Sequence, residues 1–326
     1  MNLQKNEKGI ALILALLIIT LLFVMAVEFN YKASVDITIA ANIRDATKAL
    51  YTAKSGLNAT IALLKRDDND YDAFSEDWGR FAELSKTPFL YSQYIDEGAI
   101  QLRIIDECSK IDVNQILVDD SPSLQQLKAL FILFDIDVDT TDAIMDWIDT
   151  DHNIREMGAE DDYYQGLENP YPCKDAPIEI IEELLMIREI TEDHLYGTKV
   201  RKGIKDYITV HSKGKININT ADSIVFQTLG YIEEDEWITP IDGETARTII
   251  EKREEEPFEN IIDLSKVSGM GEIYEKIKGQ ITVESHFFSV DVEATVNKAQ
   301  KRIKTIIERE RKGGENSMKI VYWAVE

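Results

Sequence analysis

The chain has 326 residues and a net charge of −24, with 36 Lys and Arg against 60 Asp and Glu. This length suggests one large domain or two to three smaller ones. The acidity argues against duplex nucleic acid as the main partner, because DNA binding needs cations along a phosphate backbone. The two cysteines exclude a cysteine-rich zinc module and a disulfide-dense small fold. The sequence has no Walker A loop, dinucleotide-binding glycine motif or nucleophile elbow. We therefore assign no catalytic residue and expect a protein that is not an enzyme.

The N-terminus has the pattern of a membrane-targeting segment. A polar, basic stretch of residues 1–9, MNLQKNEKG, precedes an uncharged apolar stretch from Ile10 to Val27. At about 1.5 Å per residue, this stretch is close to the shortest helix that spans ~30 Å of hydrocarbon. A secretory signal peptide or signal anchor is one interpretation. However, the small residue Gly9 precedes the apolar stretch instead of following it, which is the layout of a prepilin leader cleaved after Gly9.

The apolar stretch continues into an amphipathic pattern. Apolar or small residues recur in steps of three and four at Ile43, Ala46, Leu50, Ala53, Leu57, Ile61 and Leu64. This spacing predicts one stripe along a helix. We expect a single helix over 10–66, with a transmembrane part at 10–29 and an amphipathic part at 30–66 packed on a globular head. A separate helix after a loop is the alternative, because Asn30 and Asn42 are weak helix formers.

The rest of the chain divides into three parts. Residues 67–109 indicate loops and short helices before a strand at Ile100–Ile105, residues 110–280 are helical in pattern, and residues 281–326 return to strand patterns. The predicted fold class is therefore α+β. It combines a long N-terminal helix with an antiparallel sheet, built from 67–109 and 281–326, and a large helical insertion.

The insertion contains a repeat. Pro177–Thr191 and Pro257–Gly271 both place a proline, an apolar residue, an isoleucine pair and a leucine in the same order. The second copy resembles a helix-hairpin-helix unit, whose DNA-binding versions hold a phosphate on backbone N–H groups. Three glutamates at 254–256 lie beside it and favour a role in packing or protein contact. Two similar opening segments, Ile111–Asn114 and Ile216–Thr220, begin the stretches of chain that flank this repeat region. We expect their Asn and Thr side chains to cap helices.

An acidic loop is the candidate functional site. Between Asp135 and Asp162 the chain has eleven carboxylates, with Arg155 as the basic residue among them. Asp149, Asp151, Asn153 and Glu160 occupy places 1, 3, 5 and 12 of the EF-hand spacing, although Ile154 replaces the usual glycine. Such a density of oxygen donors suits Ca²⁺. A solvated acidic loop and a paired-carboxylate hydrolase are the alternatives.

The same loop carries a family resemblance. The string at 146–164, DWIDTDHNIREMGAEDDYY, resembles the DWxDxD…GAEDxYY signature of the K-type minor pseudopilins of type II secretion systems, the GspK family. The resemblance extends through Pro170-Tyr171, Ala176-Pro177 and Ile216 to Ala221, and with the leader and closing strands it covers nearly the whole chain. Most pilins carry Glu at mature position five; this family does not, and this chain has Leu14 there.

The resemblance implies a fold and a function. It implies a pilin-like fold with a SAM-like or helix-hairpin-helix-like insertion. The protein would be cleaved by the prepilin peptidase between Gly9 and Ile10, N-methylated, and anchored in the bacterial inner membrane by one helix with its C-terminal domain in the periplasm. It would join the I- and J-type minor pseudopilins and other pseudopilus subunits at the pseudopilus tip and support export across the outer membrane.

The resemblance also implies calcium in the insertion. We assign the ligands to five residues: Asp149, Asp151, Asn153, Glu160 and Asp161. At a neighbouring position, Cys173-Lys174-Asp175 stands where the family often has a basic residue and Asn. The alternative function is a membrane-anchored helix-hairpin-helix protein that binds DNA in a competence or type IV pilus system.

The two cysteines allow a disulfide. If Cys108 and Cys173 both reach an oxidising periplasm, a bond between them would close a loop of roughly 65 residues, worth on the order of 4 kcal/mol. Two unpaired thiols are the alternative, since the sequence gives no distance between them.

We predict that the mature protein starts at Ile10 with a methylated amine. The junction between charged and apolar residues lies at the bond after Gly9. The intact mass of protein extracted from membranes should therefore equal that of residues 10–326 plus one methyl group. A chain that begins after Ala26, or one that retains Met1, would contradict the prepilin interpretation.

Overall fold

One continuous helix, α1, runs from Gln4 to Arg66 in the computed structural model, which describes residues 4–84, 98–312 and 315–326. The single helix predicted over 10–66 is confirmed, and neither Asn30 nor Asn42 interrupts it. Its first part, from Gly9 onward, is apolar and long enough to cross a membrane, with a mean hydropathy of 3.3. The predicted cleavage pair, Gly9 and Ile10, is exposed on this part of the helix.

The other elements are short, apart from the strands of one sheet. The further helices are α2 Asp77–Leu84, α3 Pro122–Leu133, α4 Thr140–Ile148, α5 Asp161–Gln165, α6 Glu192–Tyr196, α7 Ser223–Phe226, α8 Gly243–Glu255 and α9 Gly271–Ile277. The strands are β1 Gly98–Asp106, β2 Ile111–Asp112, β3 Ile208–Thr209, β4 Ile216–Asn217, β5 Tyr231–Glu233, β6 Glu236–Ile238, β7 Ile281–Thr282, β8 Phe287–Val296, β9 Ala299–Lys312 and β10 Glu315–Val325.

The second half of α1 packs on a four-stranded antiparallel sheet in the order β1-β8-β9-β10. Side chains of β8 alternate between the two faces, and the buried face meets α1 at Ala53, Leu57 and Leu64. A Cβ on Gly56 would lie 2.9 Å from Val292 Cγ1, so glycine lets helix and sheet approach closely. The predicted apolar stripe of α1 is buried or half-buried from Ala46 to Leu64 and is confirmed there, whereas Ile43 is exposed. The α+β class and the predicted strands are therefore confirmed.

The insertion consists of two similar units, each closed by a parallel pair of very short strands. In the first unit β2 pairs with β3, and in the second β4 pairs with β7. Each unit also contains a 3-10 helix that follows its proline, at 181–186 and at 261–266. Because β7 pairs with β4, the second unit reaches just past residue 280, where we placed the end of the insertion.

The asparagines of the two openings have a different role from the one we predicted. Asn114 donates through Nδ2 to Ile178 O (2.9 Å) and accepts from Ile178 N (2.8 Å). Asn219 makes the same pair of bonds with Phe258, both at 2.9 Å. The prediction that they cap helices is wrong. Each side-chain amide instead pairs with the backbone of the residue after the proline, and so fixes the 3-10 segment to the start of its unit.

A buried polar cluster joins the insertion to the sheet. Arg309 of β9, whose side chain is 4% exposed, donates to Asp67 Oδ2 (2.6 Å), to the carboxylate of Asp72 and to Ser285 O (2.7 Å). Asp72 also accepts from Ser285 N (2.6 Å). Since Asp67 follows directly on α1 and Ser285 closes the insertion, a single guanidinium holds three parts of the fold together.

Asp106 extends this cluster from the end of β1. Its Oδ2 atom accepts from Ser285 Oγ (2.6 Å), Thr220 Oγ1 (2.5 Å) and Asn217 Nδ2 (3.1 Å). Asn217 Nδ2 also reaches Asp72 O at 3.0 Å. Burial raises the pKa of both carboxyls, that of Asp72 to about 7. The hydrogen-bond donors around them offset part of the cost of keeping charge in the interior.

We predict that Arg309→Leu lowers the free energy of unfolding by about 3–5 kcal/mol, because it leaves two carboxylates without their cation. The matched control is Arg311→Leu on the same strand; Arg311 pairs with Asp70, whose side chain is 95% exposed. This control should cost about 1 kcal/mol or less. Urea unfolding of the full chain in detergent measures both values.

The loss in Arg309→Leu should depend on pH. The orphaned Asp72 has a folded pKa above its unfolded one, so it takes up a proton in the folded state at low pH and loses stability as the pH rises. The variant should therefore be less destabilised near about pH 5 than near about pH 8. Equal stability of the Arg309 and Arg311 variants would contradict the assigned role of the cluster.

Candidate metal centre

The acidic loop lies between α4 and α5 on an aromatic base. Trp147 near the end of α4 contacts Tyr164 of α5 edge to face, with ring centroids 5.0 Å apart, and Tyr164 stacks on Tyr171 at 5.5 Å. Trp147 and Tyr164 are buried. Apolar packing of these rings fixes the two helices and the segment after α5, and the loop that joins the helices is held between them.

Asp146 and Arg155 form the inner part of the loop. Asp146 is fully buried and accepts from Arg155 through Nη1 (2.6 Å) and through the backbone N–H (3.2 Å). Arg155 Nη1 also lies 2.5 Å from Asp149 Oδ2. A Cβ on Gly158 would lie 1.8 Å from Asp146 Oδ2, so only glycine fits at that position. The loop therefore folds back onto the buried carboxylate of Asp146.

Three of the carboxylates converge. One oxygen each from Asp149, Asp151 and Glu160 lies within 4.8 Å of the other two. Successive backbone N–H groups shape this part of the loop: Asp151 N donates to Asp149 Oδ1 (3.2 Å), and Asn153 N donates to Asp151 Oδ1 (2.7 Å). The bond from Asn153 holds the pKa of Asp151 below its usual value. Oxygen atoms grouped in this way can surround a cation such as Ca²⁺.

Glu160 is the strongest sign of a ligand. It is 3% exposed at the start of α5, and both of its carboxylate oxygens are buried without a hydrogen-bond partner. Burial, together with the nearby carboxylates of Asp146, Asp149 and Asp175, raises its pKa to about 7. An unpartnered buried carboxylate costs free energy that a bound cation would recover. The donor set of the loop thus fits a hard divalent cation.

The other two predicted ligands are placed differently. Asn153 donates a hydrogen bond through its side-chain Nδ2 to Asp151 Oδ1 at 2.7 Å. Asp161 Oδ1 accepts from Cys173 N at 2.7 Å and so ties α5 to the segment that follows it. The structure therefore brings Asp149, Asp151 and Glu160 together, with Asn153 as a neighbour, and gives Asp161 a hydrogen bond outside the group.

Two residues near the loop were not among the ligands that we assigned from the sequence. His152 and Asp175 lie close to Glu160, and one ligand atom from each of the three lies within 4.8 Å of the other two. His152 stands between the predicted ligands Asp151 and Asn153, so its position could have suggested it. Asp175 is 15 residues beyond Glu160 in the sequence, and no spacing rule connects the two.

Both cysteines are free and buried. Cys108 Sγ accepts from His286 N at 3.3 Å, close to the cluster around Asp106. Cys173 Sγ lies 3.7 Å from Asp146 O, beneath the acidic loop. The two thiols have different neighbours, and no bond joins them in this structure. Cys173 lies under the loop, against the backbone of Asp146.

The long apolar helix packed on an antiparallel sheet defines the class of protein, one with a pilin-like fold. Comparison with solved structures supports this class. The chain is similar in fold to one chain of the crystal structure of the GspK-GspI-GspJ complex from the type II secretion system of enterotoxigenic Escherichia coli. The match has a TM-score of 0.68 and 16% sequence identity, and covers 88% of this chain and 99% of that one.

The sequence comparisons find similarity to a particular family. The family model for type II secretion system protein K matches residues 109–198, which include the acidic loop. The type II secretion system protein K of Aeromonas hydrophila is 24% identical over 238 residues, 66% of this chain and 68% of that protein. A putative protein K of Escherichia coli K12 is 22% identical over 315 residues, 89% of this chain and 90% of that protein. These matches confirm the resemblance to the K-type family that the sequence indicated.

Proposed function

We propose that this chain is a minor pseudopilin that caps the tip of a periplasmic type II secretion pseudopilus and supports protein export across the outer membrane. The observation that carries the proposal is the match, over 88% of the chain, to a structure of GspK in complex with GspI and GspJ. The matching family model and the apolar half of α1, which suits an inner-membrane anchor, support it. The alternative, a DNA-binding protein, is not favoured.

The position of the insertion supports a tip location. The cluster around Arg309 attaches the insertion at Asp67 and Asp72, just after α1 ends at Arg66. The insertion therefore sits at the end of the helix that is farthest from the apolar segment. Placed there, the insertion would obstruct a subunit stacked above it.

The residue at mature position five also supports a tip location. Leu14 stands on the exposed apolar part of α1, where most pilins have Glu. That Glu is thought to neutralise the N-terminal amine of a neighbouring subunit within the membrane, where an unpaired charge is costly. A subunit without Glu fits best at an end of the filament, where no neighbour requires it.

This proposal predicts a specific assembly. The full chain, co-expressed with the I- and J-type minor pseudopilins of its own secretion system, should co-purify with both from detergent extracts. Cells without the chain should export their type II substrates at background level, and the full chain should restore export. Normal export without the chain, together with purification free of both partners, would overturn the proposed function.

We also propose that the acidic loop binds Ca²⁺ through Asp149, Asp151 and Glu160, with further oxygens from Asn153 and Asp161 or from water. The unpartnered oxygens of Glu160 support this proposal. The bound ion would replace repulsion among the carboxylates with attraction, because Arg155 is already engaged by Asp146 and Asp149. The loop would then present a fixed surface to partner pseudopilins.

Calcium should therefore stabilise the protein. At 100 times the dissociation constant, we expect Ca²⁺ to add about 2.7 kcal/mol to the free energy of unfolding of the full chain in detergent. Asp151→Asn should remove most of this gain. The matched control, Asp162→Asn, changes an exposed carboxylate of the same region outside the group and should retain the gain.

Magnesium should have a smaller effect than calcium, because its strict octahedral shell fits a flexible carboxylate loop poorly. Thermal unfolding with each ion and with chelator measures these differences. A melting temperature that is the same with chelator and with calcium would show that the loop is only acidic.

A further inference from the structure

The insertion presents a short basic turn directly after α6. We name residues 198–202 the basic turn, and all five of them are exposed. Val200 in its middle is 96% exposed, the highest value among the large apolar side chains that the structure describes. Lys199 and Arg201 stand on either side of it. The turn therefore places an apolar side chain in solvent between two cations.

Backbone contacts hold the basic turn in this shape. Gly197 and Lys202 form an antiparallel bridge, and Thr198 N donates to Arg201 O at 2.7 Å. Thr198 Oγ1 accepts from the backbone N–H groups of Val200 (3.3 Å) and Arg201 (3.2 Å). The turn is thus closed on itself by its own hydrogen bonds.

The base of the turn is fixed as well. Gly197 has a φ of 79°, and a Cβ there would lie 2.4 Å from Gly203 N. A Cβ on Gly203 would lie 2.3 Å from Leu195 O. Leu195 and Ile204 flank the base and are buried in the core of the insertion. Val200 is therefore held in solvent by a preformed structure, so that binding through it would require little further ordering of the chain.

The cations of the turn have few partners within the protein. Lys199 has no ion-pair partner in the part of the chain that the structure describes. Arg201 Nη1 lies 3.4 Å from Asp135 Oδ2, but the Asp135 side chain is 96% exposed and such a pair is worth little. Lys202 hydrogen-bonds with the neutral side chain of Tyr207. Since the whole chain has a net charge of −24, a basic turn on its surface points to an anionic partner.

The composition of the turn favours a lipid surface over a protein. Lysine is depleted at protein interfaces, where aromatic residues and arginine are enriched, yet Lys199 and Lys202 surround an aliphatic Val200 here. A projecting side chain needs a matching pocket on a protein, whereas the headgroup region of a bilayer yields to it. Next to the turn, Tyr196 is 47% exposed and Lys205 Nζ lies 4.8 Å from the centroid of its ring. Such amphipathic side chains are favoured at bilayer surfaces.

We propose that the basic turn binds an anionic phospholipid bilayer, with Val200 in the headgroup region and its basic neighbours on lipid phosphates. Each lysine or arginine near an anionic leaflet adds to the attraction, and the exposed apolar side chain adds a contribution that salt does not screen. This contact goes beyond the proposed place in a pseudopilus, because it involves a lipid surface and no other subunit.

The length of α1 indicates which bilayer the turn would meet. From Val27 to Arg66 the helix is about 60 Å long. The insertion is attached at the Arg66 end, and a compact unit of its size is about 40 Å across. The turn therefore does not reach the bilayer that holds α1, and it would contact a second membrane.

The test holds the full chain in phosphatidylcholine nanodiscs, which surround the apolar part of α1, and adds vesicles that float in a density gradient. With vesicles of about 30% phosphatidylglycerol we expect the nanodiscs to float, and with pure phosphatidylcholine vesicles we expect them to stay behind. Raising the salt to about 0.5 M should remove most of the binding. Soluble polyglutamate serves as the probe for an acidic protein partner.

Two pairs of variants separate the contributions of charge and apolar contact. Lys199→Glu should weaken vesicle binding at least about tenfold, because an anion replaces a cation. Its control, Lys298→Glu, makes the same change at an exposed position outside the insertion and should bind like the wild type. Val200→Ser should weaken binding about fivefold. Its control, Val118→Ser, changes a side chain that is 68% exposed elsewhere in the insertion and should have no effect.

All four positions are exposed, so the melting temperatures should stay unchanged and a loss of binding would not reflect unfolding. Loss confined to Lys199→Glu and Val200→Ser supports the proposal. Equal flotation with anionic and neutral vesicles would overturn it. So would equal losses in Lys199→Glu and Lys298→Glu, which would mean that total charge governs binding. Binding to polyglutamate without binding to anionic vesicles would assign the turn to an acidic protein instead.

Discussion

The fold depends on one buried guanidinium. Arg309 binds Asp67, Asp72 and the backbone of Ser285, and so joins the end of α1, the sheet and the insertion. The Arg309 guanidinium also lies over the ring of Phe288, 5.0 Å from its centroid, and Phe288 belongs to the core between α1 and the sheet. A buried ion pair of this kind adds little net stability over apolar packing, but it allows few alternative arrangements. It sets the orientation of the insertion on the helix and therefore the shape of the end of the molecule.

The acidic loop follows a different physical rule. At the cluster around Arg309, each buried carboxylate has donors within the protein, whereas Glu160 and Asp175 Oδ1 have none. The two regions have the same chemical groups, but only the loop has unpaired ones. The loop also rests on the rigid aromatic base of Trp147 and Tyr164, so its carboxylates are held in place by side chains outside the acidic group.

Much of this could be predicted from the sequence. The long helix follows from uninterrupted periodicity, and the strands from alternation, because both signals are local. The family resemblance came from a long specific string around Asp149 and Asp151. The role of Asn114 and Asn219 could not be predicted, since it depends on contacts with Ile178 and Phe258, far along the chain. The proximity of Asp175 to Glu160 could not be predicted for the same reason. The burial of both thiols also depends on tertiary packing. The spacing of the two cysteines in the sequence therefore could not decide between a disulfide and free thiols.

The insertion interrupts what would otherwise be a simple hairpin. Asp106 at the end of β1 pairs with Phe288 at the start of β8, although residues 107–287 lie between them. An unfolded connection of that length would make closure of the sheet entropically unfavourable and slow. The insertion has one core shared by its two units, and each unit has a closing strand pair, so the insertion can fold first and bring its two ends together. Assembly of the sheet would then become a short-range event, and we expect the insertion to fold before the sheet that carries it.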